Sequence, residues 1–232
     1  MATDERYAEV LDRLKSLGDP KNVEGMVRFG IDVPNAFGVS VPDLRGLAKQ
    51  IGRDHKLADQ LWRSGIHDAR LLAALIDDPG KVTPKQMERW VKDFDSWAVC
   101  DAACGCLFDK TIYAWEKAAE WTGREEEYVK RAGFVLMATL AVHDKKAPDG
   151  RFEAFLPLII QHATDNRNFV KKAVNWALRQ IGKRNTPLNK RAVRTAEAIR
   201  RIESKAARWI ASDALRELTS EKIQARLTRK GR

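Results

Sequence analysis

Apolar positions recur at intervals of three and four along nearly the whole chain, and that period predicts helix after helix. The pattern holds over residues 4–17, 41–51, 55–64, 67–77, 84–93, 96–107, 111–122, 125–142, 151–163, 166–183, 188–203 and 205–218. The breaks are short and built from residues that end helices: Gly18-Asp19-Pro20, Gly65, Asp78-Pro79-Gly80, Gly123, Pro148-Asp149-Gly150 and Thr186-Pro187. No strand pair is legible, and Val39-Ser40-Val41 is too short to count as one. Short helices joined by short connections pack as antiparallel pairs. A succession of such pairs predicts an all-α, HEAT-like helical-repeat solenoid with a concave basic groove, formed by residues 1–232 as one domain. Residues 228–232, TRKGR, are expected to form a disordered tail.

Within this pattern one helix carries a side chain in an unexpected place. The segment NFVKKAVNWALRQIGKRN (168–185) puts Val170, Val174, Ala177, Leu178 and Ile181 on one broad apolar stripe, and Trp176 lies opposite it. Lys172, Arg179 and Lys183 fall near Trp176 on the same wheel, and Arg184 follows directly. A large indole left in water is costly, so a ring bracketed by cations points to a polyanion that also carries flat rings. Nucleic acid fits that description.

Charge reinforces this reading. The chain carries 42 Lys and Arg against 32 Asp and Glu, a formal net of +10. Residues 165–232 hold 19 basic and 6 acidic residues, a net of +13, which leaves −3 for residues 1–164. Phosphate backbones attract such a segment through counterion release, whatever the base sequence. A solubilising face is the plainer alternative, and an anionic membrane is the competitor. The basic helices lack the Phe/Leu-rich opposite face of a free interfacial helix. No apolar run approaches the length of a membrane span, and the charged start MATDERYAEVLDRLKSLG does not read as a secretory signal.

Few residues are equipped for chemistry. Cys100, Cys104 and Cys106 are an odd count in a long chain, which indicates a reducing cytoplasm, and their CDAACGC spacing makes a poor metal site. Small residues for helix packing are their expected role. His55 and His67 fall at helix starts and His143 and His162 near helix ends, without metal-ligand spacing. P-loop, GxGxxG and GxSxG motifs are absent, so nucleotide hydrolysis, nicotinamide chemistry and serine hydrolysis lack their parts. No metal or cofactor is expected.

Two further segments stand out. In FDSWAVCDAACG (94–105), Ser96 or Asp95 would cap a helix, and Trp97 and Asp101 share one face four residues apart. Val99, Ala102, Ala103 and Cys106 take the packing face. This is either a core Trp with a capping or salt-bridging Asp, or an indole and a carboxylate held toward a ligand. In YVKRAGFVLMATLAV (128–142), Arg131 sits inside an almost wholly apolar helix. A guanidinium there needs an anionic partner, for which Asp101 and a DNA phosphate are the candidates.

The blocks FGVSVPDLRGLAK (37–49), DARLLAALIDDP (68–79), DSWAVCD (95–101), YVKRAGFV (128–135) and NFVKKAVNWALRQIGK (168–183) together resemble those of the AlkD-like DNA alkylation-repair glycosylases, over roughly residues 20–185. The resemblance implies a HEAT-like fold and excision of cationic alkylated purines, chiefly 3-methyladenine and 7-methylguanine, from duplex DNA during base excision repair. It implies that the family's functional Trp and Asp match Trp97 and Asp101, its Arg matches Arg131 and its second Trp matches Trp176. It also implies work at the exposed sugar face of the nucleotide, with no cofactor. Arg131, Lys172, Arg179, Lys183 and Arg184 are the expected DNA-binding residues. Phe29 and Ser40 stand where some relatives carry more polar, DNA-facing side chains. The rival readings are a non-catalytic binder of bent or branched DNA with the same fold, and a helical-repeat scaffold for acidic proteins. A monomer in the cytoplasm, associated with the nucleoid, is the expected setting.

Overall fold

The computed structural model describes residues 2–230, and side chains over residues 5–229. The fold is all-α and HEAT-like, with no strand among the described residues. The chain divides into two compact units, Met1–Thr111 and Ile112–Arg232. Nothing in composition or linker chemistry marks that boundary, and the sequence reading takes 1–232 as one domain.

Unit 1 contains α1 (Ala2–Ser16), α2 (Pro20–Val27), α3 (Val41–Ile51), α4 (His55–Arg63), α5 (His67–Ile76), α6 (Pro84–Lys92) and α7 (Trp97–Ala102). One wide turn (Ala103–Leu107) and a short tight turn (Phe108–Lys110) follow α7. Side chains set the starts of these helices: Asp19, Ser40, Asp54, Thr83 and Ser96 each accept a bond from a backbone amide of the first turn. Leu57, Leu61, Leu72, Trp90 and Phe108 are fully buried. At the centre, the rings of Trp62 and Trp90 stack 3.9 Å apart and 4° from parallel. Burial of such rings contributes strongly to the hydrophobic stabilisation of the unit.

Unit 2 contains α8 (Ala114–Thr122), α9 (Glu127–His143), α10 (Asp149–Glu153), α11 (Leu156–Gln161), α12 (Asn168–Gly182), α13 (Thr186–Arg200), α14 (Lys205–Leu218) and α15 (Glu221–Lys230). Helix α9 is buried on every side from Val129 to Ala141, as its apolar composition predicts. It packs on α12, whose Val170, Val174, Ala177, Leu178 and Ile181 are all fully buried.

Several local expectations need correction. The helix expected over 151–163 is two helices. Pro157 has no N–H for the carbonyl of Glu153 and its ring crowds that carbonyl, so the helix stops and restarts with Pro157 in its first turn. The helix expected over 96–107 ends at Ala102, where the ladder widens and the amide of Phe108 reaches the carbonyl of Ala103. Thr228–Lys230 belong to α15, so the expected tail is helical up to there; Gly231 and Arg232 lie outside the described residues. Helix α2 was not foreseen, because it buries no residue and so leaves no apolar stripe. Among its described side chains, helix α15 buries only Ile223 and Leu227.

Gly133 lets α9 approach α8. A Cβ at this position would lie 2.8 Å from the backbone nitrogen of Thr122 and 3.0 Å from the carbonyl oxygen of Ala118. Backbone cannot yield as a flexible side chain does, so Gly133→Ala is expected to destabilise the protein by about 1–3 kcal/mol despite its better helix propensity. A urea titration checks this, and an unchanged or raised midpoint would show that the two helices separate at little cost.

Candidate functional site

Trp97 and Asp101 meet in a cleft of unit 1. Ser96, fully buried, caps α7 by accepting from the amide of Val99 at 3.4 Å. This fixes the first turn and with it Trp97, whose indole N–H donates to the carbonyl of Phe29 at 2.9 Å. Asp101 lies one turn on, and both side chains are partly exposed. They line a cleft of about 490 Å³ whose other walls come from α2, α3, α5 and the segment between α2 and α3. The walls are mostly aliphatic, among them Met26, Ile31, Val39, Leu44 and Leu71. Ala102 and Cys106, expected to pack into the core, also line the cleft: Ala102 follows Asp101 at the end of α7, and the wide turn after it carries Cys106 round. Val99 and Ala103 are buried as expected. Cys100 and Cys104 are buried thiols, and burial beside Cys100 pushes the Cys104 thiol well up.

Two residues of this site escaped the sequence reading. Asp68, 1% exposed, accepts from the amides of Phe37 at 2.6 Å and Val39 at 2.8 Å. It thereby holds the 37–40 segment, a cleft wall, against α5. Between those two amides Gly38 has φ +79°, and a Cβ there would sit 2.3 Å from the carbonyl oxygen of Asp19. His67, the first residue of α5, is 3% exposed and lines the cleft, and its Nδ1 meets no hydrogen-bond partner. Leaving such a buried group unmet costs about 1–3 kcal/mol. Burial pushes its imidazole below the ordinary 6.5, against the pull of Asp68 and Asp95 and with a smaller push from Arg70, so the ring is neutral at pH 7. A lone His beside a lone Asp at a helix start gives no spacing signal, which is why neither was legible.

Ser40 is accounted for locally. Its hydroxyl caps α3 by accepting from the amide of Asp43, and it donates to the Asp43 carboxylate at 2.5 Å. Phe29 is 72% exposed and spends only its carbonyl on Trp97.

The remaining expected residues are in unit 2. Trp176 is partly exposed, away from the buried stripe of α12, as the wheel places it. Lys172 is exposed and makes no ion pair among the described residues. The other cations are committed. Arg179 donates to Glu217 at 2.8 Å and lies 3.4 Å from Asp213, and Lys183 donates to Glu217 at 2.7 Å. Together with Asn175, which donates to Asp213 at 2.7 Å, they form a polar seam between α12 and α14. Lys183 and Arg179 hold the Glu217 carboxyl below its usual range, against its burial.

Arg184 corrects the expectation placed on it most clearly. Its guanidinium donates to the carbonyls of Ala141 and Asp144, each at 2.9 Å, and to that of Ala147 at 3.3 Å, and it lies 4.0 Å from the Phe152 ring. It closes the C-terminus of α9 and is not an open phosphate contact. Arg131 is 5% exposed and donates to the carbonyl of Phe169 at 2.7 Å, anchoring the first turn of α12. The sequence reading also missed Trp209, which is 41% exposed on α14 with the Lys171 ammonium 5.1 Å from its ring centre. The same wheel argument that found Trp176 would have found it, since Ala206, Ala207, Ile210 and Ala211 are buried around it.

No group of three or more metal-ligating side chains occurs among the described residues, and no helix is long and apolar enough to cross a membrane.

These helices and this cleft place the protein among the HEAT-like repeat proteins. The chain belongs to the DNA alkylation repair enzyme family, whose pattern it matches over residues 10–218. An uncharacterized protein of Listeria innocua is 22% identical over 193 residues, covering 82% of this chain and 84% of that protein. A second, from Listeria monocytogenes, is 21% identical over the same shares. Among solved structures, one from a new family of proteins related to the HEAT-like repeat DNA glycosylases, with affinity for branched DNA structures, superposes with a TM-score of 0.76 at 21% identity. That match covers 91% of this chain and 94% of the other.

Two measurements follow from the geometry. His67 and His162 are both held neutral by burial, so the unfolded chain binds more protons than the folded one below pH 6.5. Stability is therefore expected to fall as pH drops from 6.5 toward the lower folded-state values, and His67→Phe to flatten part of that fall. Denaturant midpoints at pH 7 and pH 5 test this, and a midpoint that rises on acidification would contradict it. Separately, Trp176→Ala is expected to cost under about 2 kcal/mol, against about 3–5 for Trp90→Ala at a fully buried ring. Equal losses in the two variants would mean that Trp176 is a core residue.

Proposed function

We propose that this chain hydrolyses the N-glycosidic bond of positively charged alkylated purines, 3-methyladenine and 7-methylguanine, in duplex DNA. The observation that carries the proposal is the pairing of Trp97 and Asp101 in one cleft of a chain from an alkylation-repair family. Methylation at N3 or N7 makes the purine a cation and a good leaving group. No general acid is then needed to protonate it. What remains is to stabilise the positive charge that develops on the sugar as the C–N bond breaks, and to bring water to C1′. A carboxylate in a partly dry cleft does the first electrostatically and orients the water for the second. Trp97 would offer its face to the cationic nucleotide, a contact worth about 0.5–2 kcal/mol. Trp176 and Lys172 on unit 2 would meet the duplex. No cofactor or metal enters this chemistry.

A second reading is supported by the protein of known structure with affinity for branched DNA: a binder of branched duplex without excision. The two readings differ at Asp101. A carboxylate facing a phosphate backbone repels it, so a pure binder gains nothing from the residue, whereas the hydrolase depends on it.

Incubation with methylated duplex DNA and chromatography of released bases tests the proposal. Asp101→Asn keeps volume and removes charge, so it is expected to lower excision by about 10²-fold or more, as loss of an electrostatic contact to a transition state does, while duplex affinity holds. Excision within threefold of wild type would remove Asp101 from the mechanism. Wild-type protein that releases no base, yet prefers four-way junctions to linear duplex, would establish the second reading.

Affinity should also fall steeply with salt. Lys172→Gln is expected to reduce the slope of log K against log salt by about 1, as for one lost phosphate contact, whereas Arg184→Gln should lower stability and leave the slope unchanged. A slope altered only by Arg184→Gln would reverse the assignment of the two residues.

A further inference from the structure

One aromatic residue of unit 2 has no task in the proposed chemistry. Trp209, in the second turn of α14, is 41% exposed. Among the described residues of the unit it is the only exposed Trp, Tyr or Phe. Its helix already buries Ala206, Ala207, Ile210 and Ala211, so an indole on the outer side is not needed to seat α14. The ring has the Lys171 ammonium of α12 5.1 Å from its centre, an attraction that is weak at an exposed site. Further cations lie close in the chain. Lys172 follows Lys171 in α12, Lys205 comes one turn before Trp209, and Arg208 precedes it directly. All three are exposed and make no ion pair among the described residues. The acids of α14 are spent on other groups. Asp213 accepts from Asn175 at 2.7 Å and pairs with Arg216, and Glu217 accepts from Arg179 and Lys183.

We propose that Trp209 stacks on an unpaired base of a single-stranded DNA arm that continues from the duplex met by unit 2, with Lys171, Lys172, Lys205 and Arg208 as the cations for its phosphates. Each nucleotide of such an arm offers one flat ring and one phosphate, which an indole among cations matches whatever the base sequence. Energetics favour the single strand. A base in a duplex is stacked on both faces, and extracting it costs about as much as one ring contact returns. An unpaired base brings the contact without that cost. Position agrees with this. Helices α12 and α14 run side by side in register, with Lys171 level with Trp209 and Asn175 level with Asp213. Trp176, proposed to meet the duplex, is therefore about 7.5 Å further along the neighbouring helix, at about 1.5 Å per residue. A strand leaving the duplex there reaches Trp209 within a few nucleotides. The contact needs no enclosed pocket and draws no base out of a duplex, so it is compatible with chemistry at an exposed sugar. It rests on the reading of unit 2 as facing DNA, and it is independent of excision.

The test uses the full-length protein and DNA probes built on one duplex: the blunt duplex, the duplex with an unpaired thymidine arm on one strand, and the duplex with an arm of abasic nucleotides. Fluorescence anisotropy at a single salt concentration gives the affinities. The abasic arm keeps the phosphates and lacks the bases, so it separates stacking from charge. Wild type is expected to bind the thymidine arm about fivefold or more tighter than the abasic arm, the gain from one stacked base. Trp209→Ala is expected to abolish that difference while affinity for the blunt duplex stays within about twofold. Circular dichroism confirms the fold, and Trp209→Leu, which keeps apolar bulk without the ring, carries the test if Trp209→Ala does not fold. A wild type that binds both arms equally, or a folded variant that still tells them apart, would overturn the proposal. Binding of the blunt duplex with no preference between the arms removes the stacking site and keeps unit 2 as a DNA surface. No affinity for any of these probes removes the reading of unit 2 on which the site rests.

Discussion

Unit 1 depends on one buried carboxylate. Asp68 has almost no contact with water and spends its two oxygens on two backbone amides, those of Phe37 and Val39. Charge-assisted bonds of this kind are strong, and removing one partner leaves the other groups buried and unmet. The segment they hold has no regular structure of its own and leads directly into α3. Without the clamp the cleft loses a wall. The wall opposite Trp97 and Asp101 is thus held by a second acid, carried on a helix different from the one that carries Asp101.

Unit 2 shows why formal charge overstates the surface available to phosphate. Residues 165–232 are strongly basic in sequence, yet Arg179 and Lys183 are tied to acids of α14 and Arg184 to backbone carbonyls. Arginine suits such positions because its planar fork satisfies several acceptors at once, and it remains charged while doing so. Attraction of DNA from a distance responds to the sum of charges, but close contact responds only to those without a prior partner. Lys172 is in the second group, and the Lys171 ammonium over the Trp209 ring is held only by a weak attraction.

The helical character of the chain was legible because the core is made of stripes. Wherever a helix buries one face, as α4, α6, α12 and α14 do, period and boundary are both in the sequence. Helix α2 buries no residue and stayed invisible, and the interruption at Pro157 was hidden under a continuous apolar pattern. Trp97, Asp101 and Trp176 stood out for a related reason, since each departs from the stripe of its own helix. His67 and Asp68 do not depart from anything in one dimension. Their significance comes from a loop thirty residues earlier that folds onto them, and no local period encodes that contact. The cations show the converse limit: a wheel gives direction but not partner, so Arg184 read as available until the carbonyls at the end of α9 were in place.

The stacked indoles of unit 1 have an optical consequence. Two rings 3.9 Å apart and almost parallel are close enough for their electronic transitions to couple, and that coupling is lost when the stack opens. Trp62 and Trp90 both belong to unit 1, and the tryptophans of unit 2 at positions 115, 121, 176 and 209 lie on α8, α12 and α14. Melting of the first unit therefore carries its own spectroscopic label, native to the chain. The sequence of events on heating, whether the units come apart together or one after the other, is open to direct observation without any added dye.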